Sequence, residues 1–254
     1  MSFLNGKTLF VTGGSRGIGL AIAKRAASEG ANVTLAAKTA EPHPRLPGTV
    51  FSAANDVRKL GGQALPMVVD IRFEEQVEAA IKQTVDTFGG IDILINNAGM
   101  SPLYDNLTSV SEELFDKVIG VNLKGPFRLM ALVGERMAAA DGGAIINISS
   151  TASLNPSPDS EPYGAAKSGL NALTRSFAFA HGPKVRVNGI AAGPFLTDIA
   201  KAWDMPAFEK MAQSRLALQR GGQPQEIVGA ALYLASEAAG FTTGTIIRVD
   251  GGTP

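Results

Sequence analysis

The sequence predicts an α/β protein built on a doubly wound parallel sheet, and three observations carry the prediction. Short apolar, β-branched runs alternate with longer Ala-rich stretches of helical period, the pattern of parallel strands covered by helices on both faces. A Gly-rich turn, Thr12-Gly13-Gly14-Ser15-Arg16-Gly17-Ile18-Gly19, joins the first such run to the first such stretch. The chain has 254 residues, 45% hydrophobic and 18% charged, enough for one large core, and no repeat, low-complexity tract or linker divides it. A single domain over residues 1–254 is expected.

The elements follow in order. Thr8 to Thr12 (Thr-Leu-Phe-Val-Thr) reads as the first strand and Ile18 to Ser28, Ala-rich and entered from the glycines, as the first helix. Asn32 to Ala37 is the second strand; the Pro-rich piece Glu41-Pro-His-Pro-Arg-Leu-Pro-Gly48 after it reads as a stiff loop. Val50 to Leu60 is a helix, Ala64 to Val69 the third strand, Glu74 to Phe88 a helix and Ile93 to Asn96 the fourth strand. Ser111 to Ala139 reads as one long helix, Ala144 to Ile148 as the fifth strand and Tyr163 to Ala180 as a helix. Val185 to Ile190, a helix over Gln225 to Ser236, and Thr245 to Val249 complete seven strands.

Composition narrows the function classes. Net charge is zero, from 23 basic and 23 acidic residues with no Lys/Arg cluster, which argues against nucleic acid or an anionic membrane as partner. A small-molecule substrate fits better. Cysteine is absent, so disulfides, thiolate metal sites and a Cys nucleophile are excluded, no metal site is expected, and redox chemistry must come from a cofactor. The N-terminus lacks the apolar core of a secretory signal and no run reaches transmembrane length, so a cytoplasmic protein is expected.

In sheets of this class ligands bind at the carboxyl ends of the strands, where strand order reverses. The Gly-rich turn follows the first strand there. Glycines let backbone approach a pyrophosphate, and the N–H groups and dipole of the helix start attract its charge. The spacing is Gly-x-x-x-Gly-x-Gly rather than Gly-x-Gly-x-x-Gly. An acid at the end of the second strand would accept the ribose 2′-OH, but the chain reads Leu35-Ala36-Ala37-Lys38-Thr39. Lys38 and Arg16 could pair instead with a 2′-phosphate, which favours NADP(H) over NAD(H); the bland reading of both is a solvated surface charge.

A second constellation carries acid–base chemistry. Tyr163 and Lys167 stand four apart in Tyr-Gly-Ala-Ala-Lys-Ser-Gly-Leu, and Ser150 lies thirteen residues before Tyr163 at the end of Ala-Ile-Ile-Asn-Ile-Ser-Ser. Residues four apart share a helix face, so the Lys167 ammonium is expected near the phenol, favouring its ionised form. Taken alone, the pair reads equally as a tyrosine packing a helix start beside a solvated lysine.

Thr12-Gly13-x-x-x-Gly17-x-Gly19, Asn96-Asn97-Ala98-Gly99, Asn122, Ser150 and Tyr163-x-x-x-Lys167 together resemble the short-chain dehydrogenase/reductase family over essentially the whole chain. The resemblance implies a Rossmann-type seven-stranded sheet, a nicotinamide cofactor and oxidoreduction between a carbonyl and an alcohol. It makes Tyr163 the acid in reduction and the base in oxidation, with Lys167 lowering its pKa and holding the nicotinamide ribose. Ser150 would hydrogen-bond the substrate oxygen, where charge develops; Ser149 competes for that role, and the thirteen-residue spacing favours Ser150. Asn122 would position a water relaying protons toward Lys167, or be a buried amide bonded to backbone.

By the same resemblance Gly13, Ser15, Arg16, Gly17, Ile18 and Gly19 cradle the cofactor, with Lys38, Asp70 and Ile71 at its adenosine end. Asn97, Ala98 and Gly99 close over it, and Gly193, Pro194, Phe195 and Thr197 grip the nicotinamide. Ala192 stands where the family usually has proline, and residues 133–143 contain one basic residue where relatives that bind acyl carrier protein are strongly basic. Residues 36–49 resemble the branch containing hydroxysteroid dehydrogenase-like protein 2. The resemblance also implies a homotetramer or homodimer through the helices at 111–139 and 163–180.

Residues 195–215 form the family's variable insertion, which caps the substrate. Trp203, Met205 and Phe208 there suit either an apolar ligand or the burial of a short helix. Asn155, Pro156, Ser157 and Glu161 are further candidates for substrate contact. The expected activity is hydride transfer between NADP(H) and a small to medium, apolar ketone or secondary alcohol. An NAD(H)-preferring dehydrogenase or 3-oxoacyl reductase is the alternative within the family, and a catalytically silent dinucleotide-binding regulator the alternative outside it.

Overall fold

A computed structural model describes residues 4–42, 48–156, 158, 160–198, 200 and 203–254. Seven strands form one sheet: β1 Thr8–Thr12, β2 Asn32–Ala37, β3 Ala64–Val68, β4 Ile93–Asn96, β5 Gly143–Ser150, β6 Val185–Ala192 and β7 Ile246–Val249. Every pairing is parallel and the order is β3-β2-β1-β4-β5-β6-β7, so the direction of winding reverses between β1 and β4. Strands β1 and β4 are buried along their whole length, as central parallel strands must be when both faces are covered.

The helices are α1 Gly17–Ser28, α2 Val50–Arg58, α3 Glu74–Phe88, α4 Glu112–Ile119, α5 Gly125–Ala139, α6 Glu161–His181, α7 Met205–Arg215 and α8 Val228–Ala235. Side chains alternate between two cores. Leu9, Val11, Ile146 and Ile148 pack with α1, α2 and α8 on one face. Phe10, Leu94 and Ile145 pack with α3, α5 and α6 on the other. At roughly 25 cal/mol per Å² of apolar surface removed from water, these two layers supply the main driving force for folding.

Several boundaries move from the sequence reading. The single helix expected over Ser111 to Ala139 is two helices joined by a π-helical turn, Gly120–Lys124, in which the Gly125 N–H donates to the Gly120 carbonyl five residues back. The helix expected from Val50 ends at Arg58 rather than Leu60, and the one expected from Gln225 begins as a 3-10 turn, Pro224–Ile227. Strands β5 and β6 run two residues further than expected, to Ser150 and Ala192, because they pair with each other in register to the end. Part of the stiff loop at 41–48 lies outside the described residues, as do Ser157 and residues 199, 201 and 202 of the insertion.

Candidate active site

The Gly-rich turn sits at the carboxyl end of β1, beside the point where winding reverses. Gly13 has φ +65°, a left-handed conformation that strains any side chain, and a Cβ there would lie 2.9 Å from Ala98 Cα. Behind the turn Thr12, 1% exposed, ties β1 to β4: its Oγ1 accepts the N–H groups of Asn97 and Ala98, both at 3.0 Å. The Asn97 side chain donates to the carbonyls of Thr12 and Gly13 at 3.0 and 3.2 Å. The asparagine read from sequence as a cofactor contact therefore braces the turn with its amide. Thr197 closes the far side, 3.4 Å from a Cβ placed at Gly17.

These residues fit a dinucleotide. The start of α1 has no side-chain cap and no acid in its first turn, which leaves its N–H groups and dipole to an anion. Lys38 is exposed at the end of β2, and Arg16 half-buried with Nη2 donating to the Gly48 carbonyl at 3.0 Å. At the adenosine end the Asp70 carboxylate is held by Arg72, with Nη2–Oδ2 2.7 Å and Nε–Oδ1 3.0 Å, and the Arg72 bonds keep its carboxyl below the usual range. Asp70 can meet an adenine only with Arg72 attached. Ile71 and Phe195 are 6% and 7% exposed and their side chains belong to the core, so these two positions have backbone to offer a cofactor. Gly193 N–H is bonded to Val249 at 3.0 Å, and Gly193, Pro194 and Thr197 remain half-buried beside the turn.

The proton-handling groups converge from three elements. Ser150 ends β5, and the start of α6 brings Tyr163 near enough for the serine hydroxyl to act on the phenol. Ser149 faces the other way, its hydroxyl directed at Ser153 and the Lys167 carbonyl. Lys167 is 3% exposed; Nζ donates to the Ile148 carbonyl at 2.8 Å and lies 5.7 Å from the Tyr163 ring centroid. Burial pushes the Lys167 ammonium down to about 8. Burial also raises the half-buried Tyr163 phenol, the Ser150 hydrogen bond opposing it. The expected lowering of the phenol by Lys167 does not appear in this arrangement, where the ammonium lies over the ring and burial is the larger influence.

Asn122 is fully buried within the π-helical turn. Its Nδ2 donates to Met100 and Val118 carbonyls at 2.8 and 3.0 Å, and its Oδ1 accepts the Met100 N–H. A Cβ added at Gly99 would lie 3.0 Å from Asn122 Oδ1 and 3.6 Å from Lys167 Nζ, so the three positions share one space. Serine, phenol, buried lysine and asparagine at the sheet edge, next to a dinucleotide cradle, are the parts of a proton-coupled hydride transfer. The family model described as Enoyl-(Acyl carrier protein) reductase matches residues 12–254. The relative Dehydrogenase/reductase SDR family member 4 of Pongo abelii is 32% identical over 253 residues, covering 99% of this chain and 88% of that protein.

The chain belongs to the short-chain dehydrogenase/reductase family. Among solved structures, a short-chain type dehydrogenase/reductase from Mycobacterium marinum superposes with a TM-score of 0.88 at 30% identity, over 98% of this chain and 95% of that one. Hydroxysteroid dehydrogenase-like protein 2 of Xenopus tropicalis is 41% identical over 189 residues, 74% of this chain; that stretch is 45% of the relative, so the chain matches less than half its length. As a short-chain dehydrogenase/reductase, the protein is an oxidoreductase of the class that uses a nicotinamide dinucleotide.

Of the capping residues, Trp203 and Phe208 pack on each other with centroids 5.0 Å apart, and a Cβ at Gly221 would meet Phe208 at 3.0 Å. Met205 begins α7, whose single buried residue is Ala212. The cleft at Tyr163 is lined instead by Pro102, Tyr104, Leu114, Val118 and Pro162. Asn155 donates to the Pro254 carbonyl. Sequence reasoning placed Thr12 in the Gly-rich motif without a role of its own, and missed Arg72 and Tyr104. Arg72 stands beside a recognised position, whereas Tyr104 lies in a segment with no periodic signal.

Proposed function

We propose that this short-chain dehydrogenase/reductase is an NADP(H)-dependent alcohol dehydrogenase or ketone reductase acting on a small to medium, apolar carbonyl compound in the cytoplasm. The observation that carries the reading is the convergence of Ser150, Tyr163 and buried Lys167, with the Lys167 ammonium over the Tyr163 ring. The bound cofactor supplies or accepts the hydride. Tyr163, protonated at neutral pH, delivers its proton to the carbonyl oxygen in reduction and takes it back in oxidation. Ser150 donates a hydrogen bond to the same oxygen as negative charge develops there. Lys167 binds the nicotinamide ribose, and once a substrate oxygen competes for charge its ammonium stabilises the phenolate. Asn122 holds a water between its amide and Lys167, through which the proton is replaced.

Lys38 and Arg16 support the phosphorylated cofactor, since no carboxylate at the end of β2 opposes a 2′-phosphate. Residues 195–215 close the site from above in this reading, and a homodimer or homotetramer follows from the family. A role on acyl carrier protein is disfavoured by the single arginine between Val133 and Gly143. Oxidation of NADPH and of NADH against a panel of ketones, aldehydes and β-keto esters tests the proposal. Turnover should appear with NADPH at the higher kcat/KM. Tyr163→Phe should lose it by about a hundredfold or more while NADPH binding, followed by fluorescence, changes little. A Phe variant with most of the activity, or a preference for NADH, would overturn it.

A further inference from the structure

We propose that Tyr104 and Glu161 form a clasp across the mouth of the cleft and determine how large a substrate reaches Tyr163; this rests on the reading of Tyr163 as the proton donor. The two residues come from opposite walls, 57 positions apart in the chain. Tyr104 lies in the segment between β4 and the 3-10 turn Leu107–Ser109, and Glu161 is the first residue of α6, two before Tyr163. The Tyr104 hydroxyl donates to the Glu161 carboxylate and accepts the Glu161 N–H at 3.0 Å. That N–H belongs to the first turn of a helix, which has no intrahelical acceptor for it. One phenol thus caps the helix carrying Tyr163 and Lys167, and at the same time binds a charged acceptor, the stronger class of hydrogen bond.

The geometry makes the pair a gate. With the clasp closed the cleft beside Tyr163 leaves essentially no room even for a water molecule, whereas ligand sites start at roughly 300 Å³. Its lining is apolar apart from serine hydroxyls and the two tyrosines, with Pro102, Leu114, Val118 and Pro162 around Tyr163. The wall bearing Tyr104 has no regular secondary structure from Gly99 to Tyr104; it is pinned at Met100 by Asn122 and at Tyr104 by Glu161. Leu103, next to Tyr104 in the chain, is 71% exposed, an apolar side chain on the same wall. The closed cleft admits no ketone, so the wall must give way to any substrate: a compact one needs only a small shift of Tyr104, whereas a bulky one needs Tyr104 to leave Glu161, and the cost of that full separation falls on bulky substrates.

Tyr104→Phe keeps the ring and removes the hydroxyl. The ratio of kcat/KM for a bulky aryl ketone to that for a four-carbon ketone should rise about tenfold, the worth of one charge-assisted hydrogen bond. Glu161→Ala should move the ratio the same way and serves if the Phe variant does not fold, while Glu161→Gln, which keeps only a neutral acceptor, should give a ratio between wild type and Glu161→Ala. Hydrogen exchange in the first turn of α6 supplies a readout independent of turnover: the Glu161 amide should exchange faster in Tyr104→Phe. Unchanged exchange would overturn the cap, and faster exchange with an unchanged size ratio would overturn the gate. A wild-type protein inactive on every ketone would instead sink the proposed function, leaving exchange to judge the clasp.

Discussion

Lys167 shows how a residue proposed for catalysis conflicts with stability. Its ammonium sits in a site where burial pushes its pKa from 10.5 down to about 8. Below pH 8 both native and unfolded lysine are charged, and the native state carries the whole desolvation cost, on the order of 3 kcal/mol. Between pH 8 and 10.5 the unfolded chain binds the extra proton, so stability rises with pH. Lys167→Met should therefore be inactive and more stable, by about 2 kcal/mol at pH 7 once the lost bond to Ile148, about 1 kcal/mol, is subtracted. Thermal melts of cofactor-free protein should show that advantage shrinking from pH 7 to pH 10; an advantage constant with pH would mean that burial does not depress the Lys167 pKa. Ser150, Tyr163 and Lys167 were legible in the sequence because their spacing is local and their chemistry narrow. The rise in the Tyr163 pKa was not, since it depends on packing from distant residues.

Helix α6 packs on α5 through one contact that composition conceals. His181 lies against Gly134: a Cβ there would come within 2.3 Å of His181 Nε2, and the ring is fixed by Phe177, 5.3 Å away, and by the Met130 carbonyl at 3.2 Å. Gly134→Ala should lower stability by about 1–3 kcal/mol, the usual cost of overpacking, and His181→Ala should restore most of it. Denaturant melts of the two single variants and the double would show this; additive losses would exclude the contact. The helices and strands themselves were legible because period and turn residues are written locally. The break at Gly120–Lys124 was not, because the apolar stripe of Ser111 to Ala139 continues through a π turn with a phase shift of one residue. The clasp between Tyr104 and Glu161 was equally hidden, as nothing near Tyr104 marks a partner 57 positions away.

At the scale of the whole molecule the outer faces of α5 and α6 remain apolar. Ile119, Leu123, Phe127 and Leu173 line a groove of about 340 Å³ between them, and Phe127 is 41% exposed against Phe177. A protein with zero net charge has little repulsion to oppose association over such a face. Phe127→Asp should therefore convert an assembly of two or four subunits to monomers in light scattering after gel filtration. A wild type that runs as a monomer would refute this. Seven parallel strands placed both sites at one edge, and that edge was readable from the alternation of strands and helices alone.

The π turn has a consequence for chain length as well as for mechanism. It behaves as a residue inserted into a helical rod, and removing Val121 would restore regular winding. The same deletion would rotate α4 by about 100° against α5 and carry Asn122 away from either Met100 or the space it shares with Lys167 and Gly99. On the role proposed for Asn122, shortening the rod by one position would therefore cost activity even where the fold survives.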